Sequence, residues 1–333
     1  LEVWWGRFES IDLNKLTELI DLRLYFGKLK TIDLSNNNKL KLLSLKWNEL
    51  KNLKVSNLTE LEYLNFRDNH ISEIDLSSNS NLEYLYAFGN NLSDVDLSNN
   101  NLIEANFKNV SSTTLSTTLQ NKHGVRVSTV EHLLAALYIA GIGSAIIEIN
   151  SEEVPIMDGS AKNFLEVFRK TELKQLNKKV EYLKVLETIE LTEGNRLIKI
   201  SPKDSFEVDF ELKYKNKIIG NQRNLINFNS DNLKAVEESR TFCLYDDIQK
   251  IKKMGLAKGG NLENAVVVNE EKVINKNGLR NDKEFVNHKI LDLAGDFLLS
   301  GFRILGKVYC HQGGHQLSNL FLHKLIKSKS KYK

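Results

Sequence analysis

The strongest constraint on this chain is a repeat. Leu19, Leu40, Leu61 and Leu82 stand 21 residues apart, and each opens a Leu-x-x-Leu-x-[apolar] run. Three of the four turns carry asparagine at the next fixed place, as Asn48, Asn69 and Asn90. A second lattice keeps the same step through Ile11, Ile32, Leu53, Ile74 and Val95, mostly inside an Ile-Asp-Leu-Ser pattern. A unit this short cannot bury its own apolar face, so each repeat must stack on the next. The leucines are expected to point inward from short strands, one per repeat, with the asparagines bonding the turn backbone. A weaker fifth copy, Leu102-x-x-Ala105-x-Phe107, follows. Trp4 and Trp5 are placed to cap the open end of the stack.

These residues resemble leucine-rich repeats over 1–107, and the resemblance implies a surface for a protein partner. From about Val110 the composition changes. Thr113–Leu119 alternates as a strand does, Ser128–Gly141 reads as a helix ended by Gly141, and Ala145–Ile149 as a strand. Met157–Gly159 is a turn, Asn163–Arg169 a short helix, and Lys174–Lys184 a patternless linker. Strands are expected at Val185–Leu191, Leu197–Ile200, Phe206–Tyr214, Ala265–Val268 and Ile304–Cys310. Helices are expected near Asp231–Glu238, over Ile248–Met254 and from Leu317. The mixture is α+β.

The totals exclude several classes. Lys and Arg number 46 against 43 Asp and Glu, which argues against nucleic acid as the main ligand. Two cysteines, Cys243 and Cys310, make no disulfide framework and point to a reducing, cytoplasmic setting. No apolar run approaches the roughly 20 residues of a membrane span. The chain starts at Leu1 rather than Met, so a targeting segment stays an open question.

Chemistry concentrates in Phe285–Gly301. The stretch reads as one helix, with Asn281 and Glu284 as a capping box and Gly301 at its end. His288, Asp292 and Asp296 fall at i, i+4 and i+8 on one face, bordered by Lys289, while Ile290, Leu293, Phe297 and Leu298 form the buried stripe. The bland alternative is a surface helix with ion pairs among Lys289, Asp292 and Asp296. Elsewhere, His132 and His315 stand in polar clusters within apolar settings, whereas His70, His123 and His323 read as surface residues. Cys310, His311 and His315 do not make a zinc cluster, because Gly313 and Gly314 discourage the helix it needs. His132, His288 and Asp292 would supply two nitrogens and one oxygen to zinc, leaving a fourth position for water. Glu131 beside them can take a proton from that water, and His315, held by Asp296, can give one to a leaving amine. The alternatives are a helix cap from Ser128 and Glu131 and a plain strand-to-helix turn at His315.

Six motifs occur in order: Val127-Ser-Thr-Val-Glu-His-Leu133, Ile156-Met-Asp-Gly-Ser-Ala161, Ser239-Arg-Thr-Phe242, Gly259-Gly-Asn-Leu-Glu-Asn264, His288-Lys-x-x-Asp292 and Gly314-His315. From about Val110 onward the chain resembles the bacterial UDP-3-O-acyl-N-acetylglucosamine deacetylases of lipid A synthesis in Gram-negative bacteria. The resemblance implies two similar α+β domains, each a sheet backed by helices, meeting at a zinc site. Their bounds would be 108–176 and 177–333 after the repeats of 1–107. It implies His132, His288 and Asp292 as zinc ligands, Glu131 as base, His315 as acid and Asp296 as its orienting partner. Thr241 would polarise the amide carbonyl. Lys289, Phe242, Gly260 and Leu115 would touch the UDP-linked acyl glucosamine, with the insert from Phe242 to Gly260 sheltering its acyl chain. Two positions depart from the pattern: Gln312 stands where the family favours a basic residue, and the family's first strands are replaced by the repeats. The first catalytic domain is therefore expected to be incomplete. The rival readings are a repeat-based binding module joined to an inactive deacetylase remnant, and a mis-joined gene product.

Overall fold

The computed structural model describes residues 1–4, 8–92, 102–122, 124–176, 180–253 and 259–333. It divides into two compact units, Leu1–Glu104 with Gln120–Arg126, and Ala105–Leu119 with Val127–Lys333. Trp5, Val95, His123 and Met254 lie outside the described residues.

In the first unit the 21-residue period becomes one parallel strand per repeat. The described strands are Glu2–Trp4, Asp21–Tyr25, Leu42–Ser44, Tyr63–Asn65 and Tyr84–Tyr86, hydrogen-bonded in that order. Register follows the lattice: Leu22 pairs with Leu43, Leu43 with Leu64 and Leu64 with Leu85. These leucines are buried in one core with Leu40, Leu61 and Leu82, while Leu19 is only partly covered. The asparagines perform the backbone task expected of them. Asn69 donates to the carbonyls of Leu45 and Phe66, both at 2.9 Å, and accepts the Leu50 N–H at 3.0 Å. Asn48 and Asn90 repeat this pattern one step earlier and one later. A buried loop would otherwise leave these peptide groups unpaired.

The two ends of the stack are built differently. The end of the sheet is a strand, Glu2–Trp4, with Trp4 half exposed and edge-on to Tyr25 at 4.6 Å. The fifth copy forms no strand. Leu102 packs on the repeat core, but Phe107 opens a 3-10 turn and donates its N–H to Leu299. No leucine follows at its lattice position to continue the stack.

The second unit is built on a twisted sheet. Ile189–Glu193, Arg196–Ser201, Arg303–His311, Phe206–Lys213 and Asn221–Asn227 lie side by side in that order, and Tyr182–Lys184 pairs with the start of Arg303–His311. The central strand, Arg303–His311, alternates buried and half-buried residues. It runs parallel to Phe206–Lys213 and antiparallel to Arg196–Ser201. The helix Glu284–Leu298 leads into it, and His315–Lys327 follows it. Phe297 stacks on Phe321 at 5.9 Å and approaches Phe206 at 6.3 Å, which closes the core between helices and sheet. The expected strand Val185–Leu191 is replaced by Tyr182–Lys184 and Ile189–Glu193, and the polar strand Asn221–Asn227 carries no apolar alternation to betray it. No helix among the described residues is long and apolar enough to cross a membrane.

Other local expectations are corrected. Thr113–Leu119 is mostly a bend, with Leu115 at φ +66°, and only Thr118–Gln120 is strand, paired with Val110–Ser112. Ala145–Ile149 belongs to no described strand, and Ile146 is 62% and Ile147 45% exposed. Neither capping box forms. The Ser128 hydroxyl donates to the Glu152 carbonyl, and Glu284 binds Arg240 in a buried ion pair at 2.8 Å. Gly301, at φ +82°, does close the long helix, whose last turn ends at Leu298.

Replacing Asn69 by alanine should remove a buried ligand for three peptide groups and destabilise the first unit by roughly 2–4 kcal/mol. Asn81→Ala, at an exposed asparagine bonded to the Thr59 carbonyl, should stay within about 0.5 kcal/mol. Urea unfolding of both variants decides it, and equal effects would refute the role given to the buried lattice.

Candidate metal centre

Two helices, Glu131–Ile139 and Glu284–Leu298, meet backbone to backbone. A Cβ placed on Gly295 would lie 2.0 Å from the Glu131 carbonyl oxygen, so a larger residue would push the helices apart. Gly295 sits between Asp292 and Asp296, and the close approach delivers both carboxylates to Glu131 and His132. All four are buried.

The first cluster is His132, His288 and Asp292, whose ligand atoms lie within 4.8 Å of one another. Asp292 Oδ1 faces His288 Nε2 at 3.3 Å and His132 Nε2 at 3.5 Å. His288 Nδ1 bonds the Ser239 carbonyl at 3.1 Å, which requires the proton on Nδ1 and leaves Nε2 bare. Burial holds the His288 imidazole down to about 3, so it is neutral at ordinary pH. Burial alone would raise the Asp292 carboxyl, but with the Lys289 ammonium bonded to it at 2.9 Å it lies well below the usual range. Asp292 Oδ1 is buried with no hydrogen-bond partner. His288 Nε2 and Asp292 Oδ1 thus face each other with bare electron pairs, an arrangement that costs energy unless a cation occupies the centre. Two imidazole nitrogens and a carboxylate fit a transition-metal ion of the zinc type, with a further coordination position free.

The second cluster has the opposite character. His315 opens its helix after Gly314, and its Nδ1 meets Asp296 Oδ2 at 3.0 Å. Its Nε2 points back at the first cluster, 3.8 Å from Glu131 Oε1 and 3.9 Å from Asp292 Oδ2. Burial disfavours the charged ring, but Asp296 and Glu131 outweigh it and lift the imidazole to about 9. Burial raises the Glu131 carboxyl above the ordinary range, which makes it a better proton acceptor. One pocket therefore holds the neutral His288, a basic carboxylate and a protonated imidazole.

Six of the residues singled out in the sequence are brought together here, and Lys289 borders them. It binds Asp292 Oδ2 at 2.9 Å and lies over the Phe242 ring at 5.7 Å. The bland i, i+3 ion pair is thus real, but it is part-buried and shares its carboxylate with two imidazoles. Phe242 also stands 6.3 Å from the His288 ring. Thr241 is half-buried, and its N–H donates to the Gly159 carbonyl at 2.8 Å. Leu115 is 56% exposed and Gly260 is exposed. Among the described residues, no hydrogen bond, ion pair or ring contact ties either to the ligand set. The Gln312 amide is bonded to the Lys213 backbone, donating at 2.6 Å and accepting at 2.8 Å. Part of the insert between Phe242 and Gly260, residues 254–258, lies outside the described residues.

Three participants gave no sequence signal of their role. Ser239 fixes the tautomer of His288, and Gly295 sets the helix approach. Thr117 donates its N–H to Glu131 Oε2 at 3.0 Å and its hydroxyl to Asp296 Oδ1 at 2.7 Å. A glycine between two aspartates on a helix was the one available hint.

With this geometry in place, comparison with known proteins is specific. Residues 85–327 match the family model described as UDP-3-O-acyl N-acetylglycosamine deacetylase. The UDP-3-O-acyl-N-acetylglucosamine deacetylase of Pseudoalteromonas translucida is 41% identical over 224 residues, 66% of this chain and 74% of that protein. Its namesake from Geotalea uraniireducens is 40% identical over 225 residues, 67% of this chain and 73% of the relative. That of Nautilia profundicola is 37% identical over 218 residues, 65% and 74% of the two chains.

The purified chain should carry about one metal ion, as a single three-ligand site requires. Elemental analysis of His288→Ala should find it nearly absent, and the metal that raises the thermal midpoint of the stripped wild type should leave this variant unmoved. Retention of the metal by the variant would refute the ligand set.

Proposed function

Because this chain belongs to the UDP-3-O-acyl N-acetylglycosamine deacetylase family, we propose that it removes the acetyl group from a UDP-linked 3-O-acyl-N-acetylglucosamine in lipid A synthesis. The observation that carries this reading is the opposed protonation of neighbouring groups: a neutral His288 and a basic Glu131 on one side, a protonated His315 on the other. Amide hydrolysis needs both, since water must lose a proton while the amine must gain one.

His132, His288 and Asp292 would hold zinc, which when bound polarises an amide carbonyl and lowers the pKa of water at its open position. Glu131 takes the proton of the attacking water as its oxygen bonds to the acetyl carbon. The carbon–nitrogen bond then breaks, and His315 Nε2 passes its proton to the departing nitrogen, giving acetate and the free amine. Asp296 keeps the His315 ring turned so that Nε2 faces Glu131. Lys289 and Phe242 line the approach beside Asp292 and His288, and Thr241 would polarise the carbonyl from the position just before the strand Phe242–Leu244. Leu115 and Gly260 would lie farther out along the substrate.

Glu131→Gln keeps the shape and removes the basicity, so acetate release should fall by roughly 10²–10⁴ while metal content stays unchanged. An activity close to wild type would leave Glu131 a structural residue and end the proposal.

One observation favours the rival reading of a weakened catalytic unit. Residues 142–149 have no strand partner among the described residues, and Ile146 and Ile147 are exposed, as an incompletely packed first domain would leave them. Residues 1–107 would then serve as an independent module for a protein partner, with 108–176 and 177–333 as the catalytic halves. Expressed alone, 1–107 should give a soluble domain with β circular dichroism and a cooperative melt. An unfolded product would count against its autonomy.

A further inference from the structure

We propose that Thr117 is a positioning residue that fixes the spacing between proton acceptor and proton donor. The role rests on the deacetylase reading above. Thr117 is 2% exposed, and all its polar groups are spent on this site. Its N–H holds Glu131 Oε2 at 3.0 Å, its hydroxyl holds Asp296 Oδ1 at 2.7 Å, and its carbonyl accepts the Val130 N–H at 3.3 Å. A buried threonine commonly returns its hydroxyl to a nearby backbone carbonyl. Here the hydroxyl reaches a carboxylate 179 residues away in the chain.

The consequence is geometric. Asp296 has both oxygens committed, Oδ1 to Thr117 and Oδ2 to His315 Nδ1. With both held, the carboxylate cannot rotate, and the imidazole plane that it orients is fixed with it. Glu131 is held by the same residue through the backbone. The 3.8 Å between Glu131 Oε1 and His315 Nε2 is therefore set by one residue that grips both arms. The bend that delivers it turns at Leu115, φ +66°, two positions earlier. Because the backbone N–H survives any substitution but proline, the hydroxyl can be removed without touching the Glu131 bond. Thr117→Val does this at nearly constant volume, and Thr117→Ser restores the hydroxyl alone.

In the holoenzyme, Thr117→Val should lower kcat by roughly 10–100-fold, the value of one hydrogen bond to a charged group, with KM and metal content unchanged. Thr117→Ser should return to within about threefold of wild type. In metal-free protein, the His315 Nδ1 proton resonance should shift in Thr117→Val and return in Thr117→Ser. Should the valine variant fail to fold, Thr117→Ala replaces it in both measurements. An unchanged kcat, an unmoved resonance, or a serine variant as slow as the valine one overturns the proposal. If the wild type releases no acetate, the deacetylase reading fails, and the resonance still decides whether Thr117 sets the geometry of the pair.

Discussion

Everything in the catalytic unit depends on how closely two helices approach at Gly295. With hydrogen in place of a side chain, the Glu284–Leu298 helix rests directly on the Glu131 carbonyl. Asp292 and Asp296 flank the contact on one face of that helix. One carboxylate meets His132, and the other lies within reach of Thr117. A methyl group at 295 would separate the helices by more than the tolerance of a metal site, in which ligand atoms must converge to a fraction of an ångström. Packing here is what makes chemistry possible.

Such a contact gathers charges that would otherwise avoid one another. Three carboxylates and three imidazoles share a space from which water is largely excluded, and burying each charge alone would cost far more than folding can supply. They coexist because the protons are sorted. His288 gives its Nδ1 proton to a backbone carbonyl and stays neutral, while His315 keeps its charge against Asp296. A second buried pair, Arg240 with Glu284, lies at the start of the same helix and also anchors the segment that follows Ser239. The carbonyl that selects the His288 tautomer is thus held by the neighbouring residue.

The sequence made the repeats almost fully legible, because their order is local and periodic. Leu22, Leu43, Leu64 and Leu85 occupy one lattice position, and pairing them in register needs no information beyond the period. Helical spacing likewise put His288, Asp292 and Asp296 on one face, as the structure does. What spacing alone left open was partnership. Glu131 and Glu284 both fit capping boxes, yet Glu131 accepts from Thr117 and Glu284 from Arg240. A carboxylate near a helix start has a local use and a tertiary one, and only the fold shows which wins. Thr117 was hidden for the same reason, since its bonding partners stand 14 and 179 residues away.

The stretch Ala145–Ile149 marks the limit of propensity as a guide. Its β-branched residues favour an extended backbone, yet no strand forms over it. A strand is a property of a pair, because its peptide groups are satisfied only by a neighbour. Asn221–Asn227 is the converse case: seven mostly polar residues with little strand propensity form a full strand because Phe206–Lys213 presents an edge to pair with. The presence of an edge therefore decides membership of a sheet. The repeats supply that edge to one another by translation. In the catalytic unit each edge has to be provided by a different, unrelated segment, and that makes its β-structure harder to read than its helices.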